Sequence, residues 1–110
     1  MMKRIEERIK KCLLVDISKN GLEQMGVTVN ISRRGMCIAT TEIFRRRSKL
    51  QILLAAADDI YAINGRVVWH VKKRTMESES VPVGMGIQIE HAVPGYYKYI
   101  SLLRKNTPRP

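Results

Sequence analysis

Short runs of apolar and β-forming residues, two of them strictly alternating, follow one another along most of this chain, and turn signals separate the runs. Lys10 to Ile17 is an apolar run rich in β formers, and Ser18-Lys19-Asn20-Gly21 after it reads as a turn, with Asn-Gly its strongest part. From Val27 to Ile31 the alternation is strict. It points Val27, Val29 and Ile31 one way and Thr28, Asn30 and Ser32 the other. Arg33-Arg34-Gly35 is the next turn, followed by short strands at Met36–Thr40 and Leu50–Ala55 and a connection at Ala56–Asp59. Tyr61 to Val71 is a longer strand whose internal Gly65 marks a bulge or bend. Lys72 to Pro82 reads as a polar loop. Gly84 to His91 alternates again, with Met85, Ile87 and Ile89 on one face.

The period changes once. Tyr96, Tyr99, Ile100 and Leu103 recur at helical spacing just after Pro94, which predicts an amphipathic helix over 95–105. Short strands at regular spacing, closed by one helix, predict a mainly β fold: a small antiparallel six-stranded β-barrel with a C-terminal α-helix. Residues 1–105 form the expected single domain, with 1–9 as an N-terminal arm and 106–110 as a disordered tail.

A chain of 110 residues holds one core and no deep substrate chamber, so a ligand is expected at the surface. Twenty Lys and Arg against ten Asp and Glu give a formal charge of +10, which favours anionic partners. No apolar run is long enough to span a bilayer and the first eleven residues hold no signal-peptide core, so a cytoplasmic protein is expected. Cys12 and Cys37 read as reduced, buried thiols.

Two patterns carry chemistry. The first is Asn30-Ile31-Ser32-Arg33-Arg34-Gly35, an NxSxxG at a strand end. Its Asn and Ser offer short donors and acceptors suited to a base edge, and its Gly allows a backbone conformation closed to other residues. The second is Arg4-Ile5-Glu6-Glu7-Arg8, an RxxxR whose guanidinium groups suit phosphate, purine stacking and the O6/N7 edge of guanine. Asp16-Ile17-Ser18-Lys19-Asn20-Gly21 also spells DxSxxG, but it follows Arg8 too closely and reads as a hairpin turn.

In order and spacing the two motifs resemble the signature of PilZ domains, small β-barrels that bind cyclic di-GMP. Gly65-Arg66-Val67-Val68-Trp69 is similar to that family's late strand, and Val83 to Ile89 to its last. The resemblance implies a non-enzymatic cyclic di-GMP receptor. Arg4 and Arg8 would clasp guanine and phosphate, Asn30 and Ser32 would contact a guanine, and Gly35 would shape the turn. Lys3, Arg33 and Arg34 are secondary candidates for the same ligand. Where the family carries Asp, a carboxylate could accept both donors of guanine's pairing edge, whereas Asn30 accepts only at its oxygen. Binding would order the N-terminal arm and change the surface offered to an unidentified downstream protein. No cofactor is implied, and a monomer or weak dimer is expected.

Other readings are weaker. Cys12, Cys37, His70 and His91 match none of the usual close metal-ligand pairs, so no metal is expected. No nucleophile or acid–base set can be assembled for an enzyme. Trp69 alternates with Val67 and Val71 and reads as core; Asp58-Asp59 reads as a solvated turn. Arg45-Arg46-Arg47 is a solvated loop or a docking patch for an acidic partner. A PilZ-like adaptor without a nucleotide is the main alternative. A nucleic-acid-binding barrel is disfavoured, because exposed stacking aromatics are few and three of the four tyrosines fall in the expected helix.

Overall fold

In the computed structural model, which describes residues 8–76 and 80–106, seven strands precede one helix. They are β1 (Ile9–Lys10), β2 (Leu14–Lys19), β3 (Leu22–Ile31), β4 (Gly35–Ala39), β5 (Lys49–Ala56), β6 (Asp59–Arg74), β7 (Ser80–Ala92) and α1 (Pro94–Asn106). Six of them close a ring in the order β2–β3–β4–β7–β6–β5, every pairing antiparallel, and β1 adds to β3 beyond the end of β2. This is the expected six-stranded barrel with its helix. Closure leaves few unpaired backbone edges.

Local chemistry sets the corners. Asn20 and Gly21 both take positive φ (52° and 84°), the geometry of a tight turn whose twist matches the flanking strands. The Asp16–Gly21 look-alike is therefore the β2–β3 hairpin. Gly65 sits at a register shift of β6, as its place in the strand suggested. Leu50, Ile52, Leu54 and Ala56 of β5 point inward and alternate with exposed residues. Leu50, Ile52 and Leu54 meet Val15, Ile17, Ile38, Ile63, Val67, Met85 and Ile87 in one core. Tyr96 and Ile100 of α1 are buried against that core, and Leu103 packs beside them.

Five expectations change, and bulges account for two. The first apolar run is broken at Lys11–Leu13, and the break is held by Thr28. Its hydroxyl donates to Lys11 O (2.6 Å) and accepts from Leu13 N (2.9 Å). A register shift between Thr28 and Asn30 follows, so Thr28 and Ile31 face the interior while Val27 and Val29 are exposed. One extra residue inverts the phase of an alternating strand, which is why the Val27–Val29–Ile31 face does not exist. The same happens between Val67 and Trp69: Val67 is buried, and Trp69, expected in the core, turns outward with 44% exposure.

The expected loop at 72–82 is instead largely ladder, with pairs Lys72↔Pro82, Lys73↔Val81 and Arg74↔Ser80. Among the described residues no further strand pairs with this ribbon, and Lys72, Lys73, Arg74 and Pro82 are all exposed, so no apolar alternation marks it. Cys12 is exposed and Cys37 half-buried, against the expected pair of buried thiols. Smaller shifts are at element ends: β4 starts and stops one residue early, and α1 is one residue longer at each end than expected. Of the arm expected over 1–9, Arg8 and Ile9 are described. Ile9 pairs with Ile31 and packs in the core. Arg4, Lys3 and the tail from 107 lie outside the described residues.

Candidate ligand-binding rim

Strand register assembles one row across five strands of the barrel's outer surface: Lys10–Asn30–Cys37–Gly86–Trp69. Arg8, one residue before β1, lies over this row. Its Nη1 donates to Asn30 Oδ1 at 2.9 Å, and its guanidinium carbon is 5.7 Å from the centre of the Trp69 ring. The indole rests directly on Gly86, where any Cβ would stand 2.0 Å from its Cε2. Cys37 sits beneath. Burial pushes its thiol up, and the Arg8 cation partly offsets that rise.

The NxSxxG segment leaves this row at Asn30 and turns between β3 and β4. Ser32 is 1% exposed. Its hydroxyl donates to Gly35 O and accepts from Gly35 N, both at 3.1 Å, while its own amide donates to Gly35 O at 2.8 Å. Asn30 thus presents its side chain on the rim while Ser32 turns its hydroxyl into the turn. Gly35 is required by space rather than by φ: a Cβ there would lie 2.7 Å from Ile87 O and 3.3 Å from Arg8 Nη2. The helix holds the turn from behind. Tyr96, fully buried, donates its hydroxyl to Ser32 O at 2.6 Å. Arg34 O accepts from Ile89 N at 2.7 Å. The Arg33 guanidinium stands 4.9 Å over the Tyr97 ring, on the helix side of the turn.

The geometry therefore brings Arg8, Asn30, Ser32 and Gly35 together and sends Arg33 toward α1. Trp69, Cys37, Gly86 and Tyr96 were missed. The paired glycines Gly84-Met85-Gly86 were a usable signal, since a strand gives up side chains where something must lie close on it. A guanidinium, a carboxamide and a half-exposed indole on one rim suit a flat, anionic, hydrogen-bonding ligand. Among the described residues no group of three His, Cys, Asp or Glu side chains is placed to hold a metal. His70 Nε2 is hydrogen-bonded to Phe44 O (2.9 Å). No helix among them is long and apolar enough to cross a membrane.

Compared with family models, residues 2–98 match the PilZ domain, a span that holds both motifs. The chain belongs to the PilZ domain family. Two solved structures share this PilZ fold. The PilZ domain of YcgR from Escherichia coli, described with c-di-GMP, has a TM-score of 0.71 at 10% identity, covering 94% of each chain. The Bacillus subtilis inhibitor of motility MotI/DgrA has a TM-score of 0.67 at 18% identity, covering 99% of this chain and 55% of that one. The PilZ chain thus spans about half the length of MotI. No curated protein sequence matches it.

Proposed function

We propose that this PilZ domain is a non-enzymatic receptor for cyclic di-GMP, working in the cytoplasm on a downstream protein. One observation carries the reading: the 2.9 Å contact from Arg8 to Asn30 joins the RxxxR and NxSxxG motifs on one surface. Family membership and the fold shared with c-di-GMP-bound YcgR support it.

In this reading Arg8 and Arg4 take the phosphates and a guanine edge, Asn30 meets the base, and the Ser32–Gly35 turn offers its backbone. The exposed indole of Trp69 gives a face for stacking. Ligand binding orders the chain before β1 over the rim, at a cost in conformational entropy, and thereby changes what a partner meets. Calorimetric titration of cyclic di-GMP into the intact chain tests this. Saturable heat with a shallow salt dependence is expected, because a dinucleotide carries few phosphates compared with a polyanion. No binding at high micromolar ligand ends the reading.

A second reading, a PilZ adaptor that takes no nucleotide, is favoured by one feature: Arg8 is already hydrogen-bonded to Asn30, and the Ser32 hydroxyl is engaged in its own turn. Recovery of the same protein partner with and without nucleotide distinguishes it.

A further inference from the structure

The turn that closes the rim has a second side. Arg33 leaves the Ser32–Gly35 turn away from Asn30 and covers Tyr97. Beyond it, Arg33, Tyr97, Lys98, Ser101, Leu102 and Lys105 line a groove of about 460 Å³. Lys98, Ser101, Leu102 and Lys105 are spaced i, i+3, i+4 and i+7, so they share one face of α1. The opposite face, with Tyr96 and Ile100, is buried against the barrel. Leu102 is 58% exposed at the groove, with a lysine near one turn before it and another near one turn after. The helix Pro94–Asn106 contains no acidic residue.

We propose that this groove docks an acidic segment of a partner protein that inserts one apolar side chain beside Leu102 and Tyr97. Charge complementarity selects the occupant: Arg33, Lys98 and Lys105 ring an apolar floor, so carboxylates around a hydrophobic anchor fit where a basic or neutral segment does not. A bilayer is a poorer fit. A helix lying in a membrane needs a broad apolar face outward, and α1 turns that face to the barrel. This deepens the receptor reading by naming the chemistry of its downstream partner, and it rests on that reading for its signalling meaning alone. Docking is tested without nucleotide, so a failed peptide titration and a failed cyclic di-GMP titration are separate results.

The experiment is a backbone NMR titration of the intact chain with a synthetic peptide of glutamates around one Leu-Phe pair. A Glu→Gln twin of the peptide and vesicles containing an anionic lipid form the other arms. Saturable shifts at Arg33, Tyr97, Lys98, Ser101, Leu102 and Lys105 are expected with the acidic peptide. Leu102→Ser or the pair Lys98→Glu and Lys105→Glu should weaken them at least about tenfold. These side chains are on the surface, and an unchanged amide spectrum elsewhere shows that the variants fold. The proposal is overturned by shifts spread equally over Arg45–Arg47 and Lys72–Arg74, by equal binding of the Gln peptide, or by binding to vesicles without binding to the peptide.

Discussion

The indole of Trp69 lies flat on the backbone of Gly86: a Cβ built there would stand 2.0 to 2.5 Å from three of its ring atoms. This pairing fixes where the ring presents its outer face, beside Arg8. Gly86→Ala should therefore lift the ring or push β7 inward. Overpacking of this kind costs about 1–3 kcal/mol. The expected outcome is a lower urea midpoint and a red-shifted emission of the single tryptophan. Unchanged emission and midpoint would show that the ring rests elsewhere.

Tyr96 acts on the rim from behind. Its buried hydroxyl holds Ser32 O at 2.6 Å, so α1 and the NxSxxG turn are joined across 64 residues of sequence. Tyr96→Phe removes the donor and leaves a carbonyl in a site with little water. A loss of about 1–3 kcal/mol is expected. Amide hydrogen exchange should rise at Gly35, whose N–H depends on the same turn. Uniform destabilisation without a local rise at Gly35 would argue against the coupling.

Three groups should make stability fall on the alkaline side. Burial pushes up the Cys37 thiol, and it pushes up the Tyr61 and Tyr99 hydroxyls; the Asp59 charge adds to the rise at Tyr61, and Tyr61 to that at Tyr99. Each group thus loses its proton first in the unfolded chain. Their contribution is intact below the ordinary values, about 8.5 for a thiol and about 10 for a phenol, and it is lost as pH rises through the higher folded values. A urea midpoint that declines from pH ~8 upward is expected. Cys37→Ser should remove the earlier part of the decline. A flat or rising midpoint contradicts the assignment.

The barrel was legible in the sequence because most of its strands bury one face, and period-two patterning records that directly. Met85, Ile87 and Ile89 point inward as their alternation requires, and Tyr96 and Ile100 do so at helical spacing. Legibility failed where one extra residue intervened. The shifts beside Val29 and Val68 leave no mark in composition, yet they decide that Val27 and Trp69 face out and that Thr28 faces in. It failed again in the Lys72–Arg74 ribbon, where all three side chains are exposed and impose no pattern. The rim shows the same division. Arg8, Asn30, Ser32 and Gly35 are near one another in motif logic, while Trp69 and Gly86 join them only through cross-strand register, which a single chain does not spell out.

Arg8 is the residue on which the nucleotide reading is most exposed to test. It is on the surface, and its one strong contact is to Asn30, so its removal should leave the fold intact. Arg8→Ala should weaken cyclic di-GMP binding roughly 10- to 100-fold, the equivalent of losing charge-assisted hydrogen bonds worth about 1.5–3 kcal/mol. Arg8→Lys should restore only part of that, because an ammonium keeps the charge and loses the planar fork. Unchanged affinity in calorimetry for both variants would remove Arg8 from the site.

Asn30 offers a gain rather than a loss. Its carboxamide oxygen accepts from Arg8, and its amide nitrogen meets guanine's pairing edge donor to donor if the base approaches that way. Asn30→Asp replaces that nitrogen with a second acceptor. The carboxylate can hold Arg8 in a charge-assisted pair at one oxygen and accept from guanine N1–H and N2–H with its remaining lone pairs. The expected result is a several-fold lower Kd for cyclic di-GMP, of the order of 1 kcal/mol. Asn30→Ala should weaken binding, since Arg8 then loses the contact that aims it along the rim. If Asp instead weakens binding as much as Ala does, the base meets this position through its acceptor edge, and the amide nitrogen of Asn30 is the group that reads it.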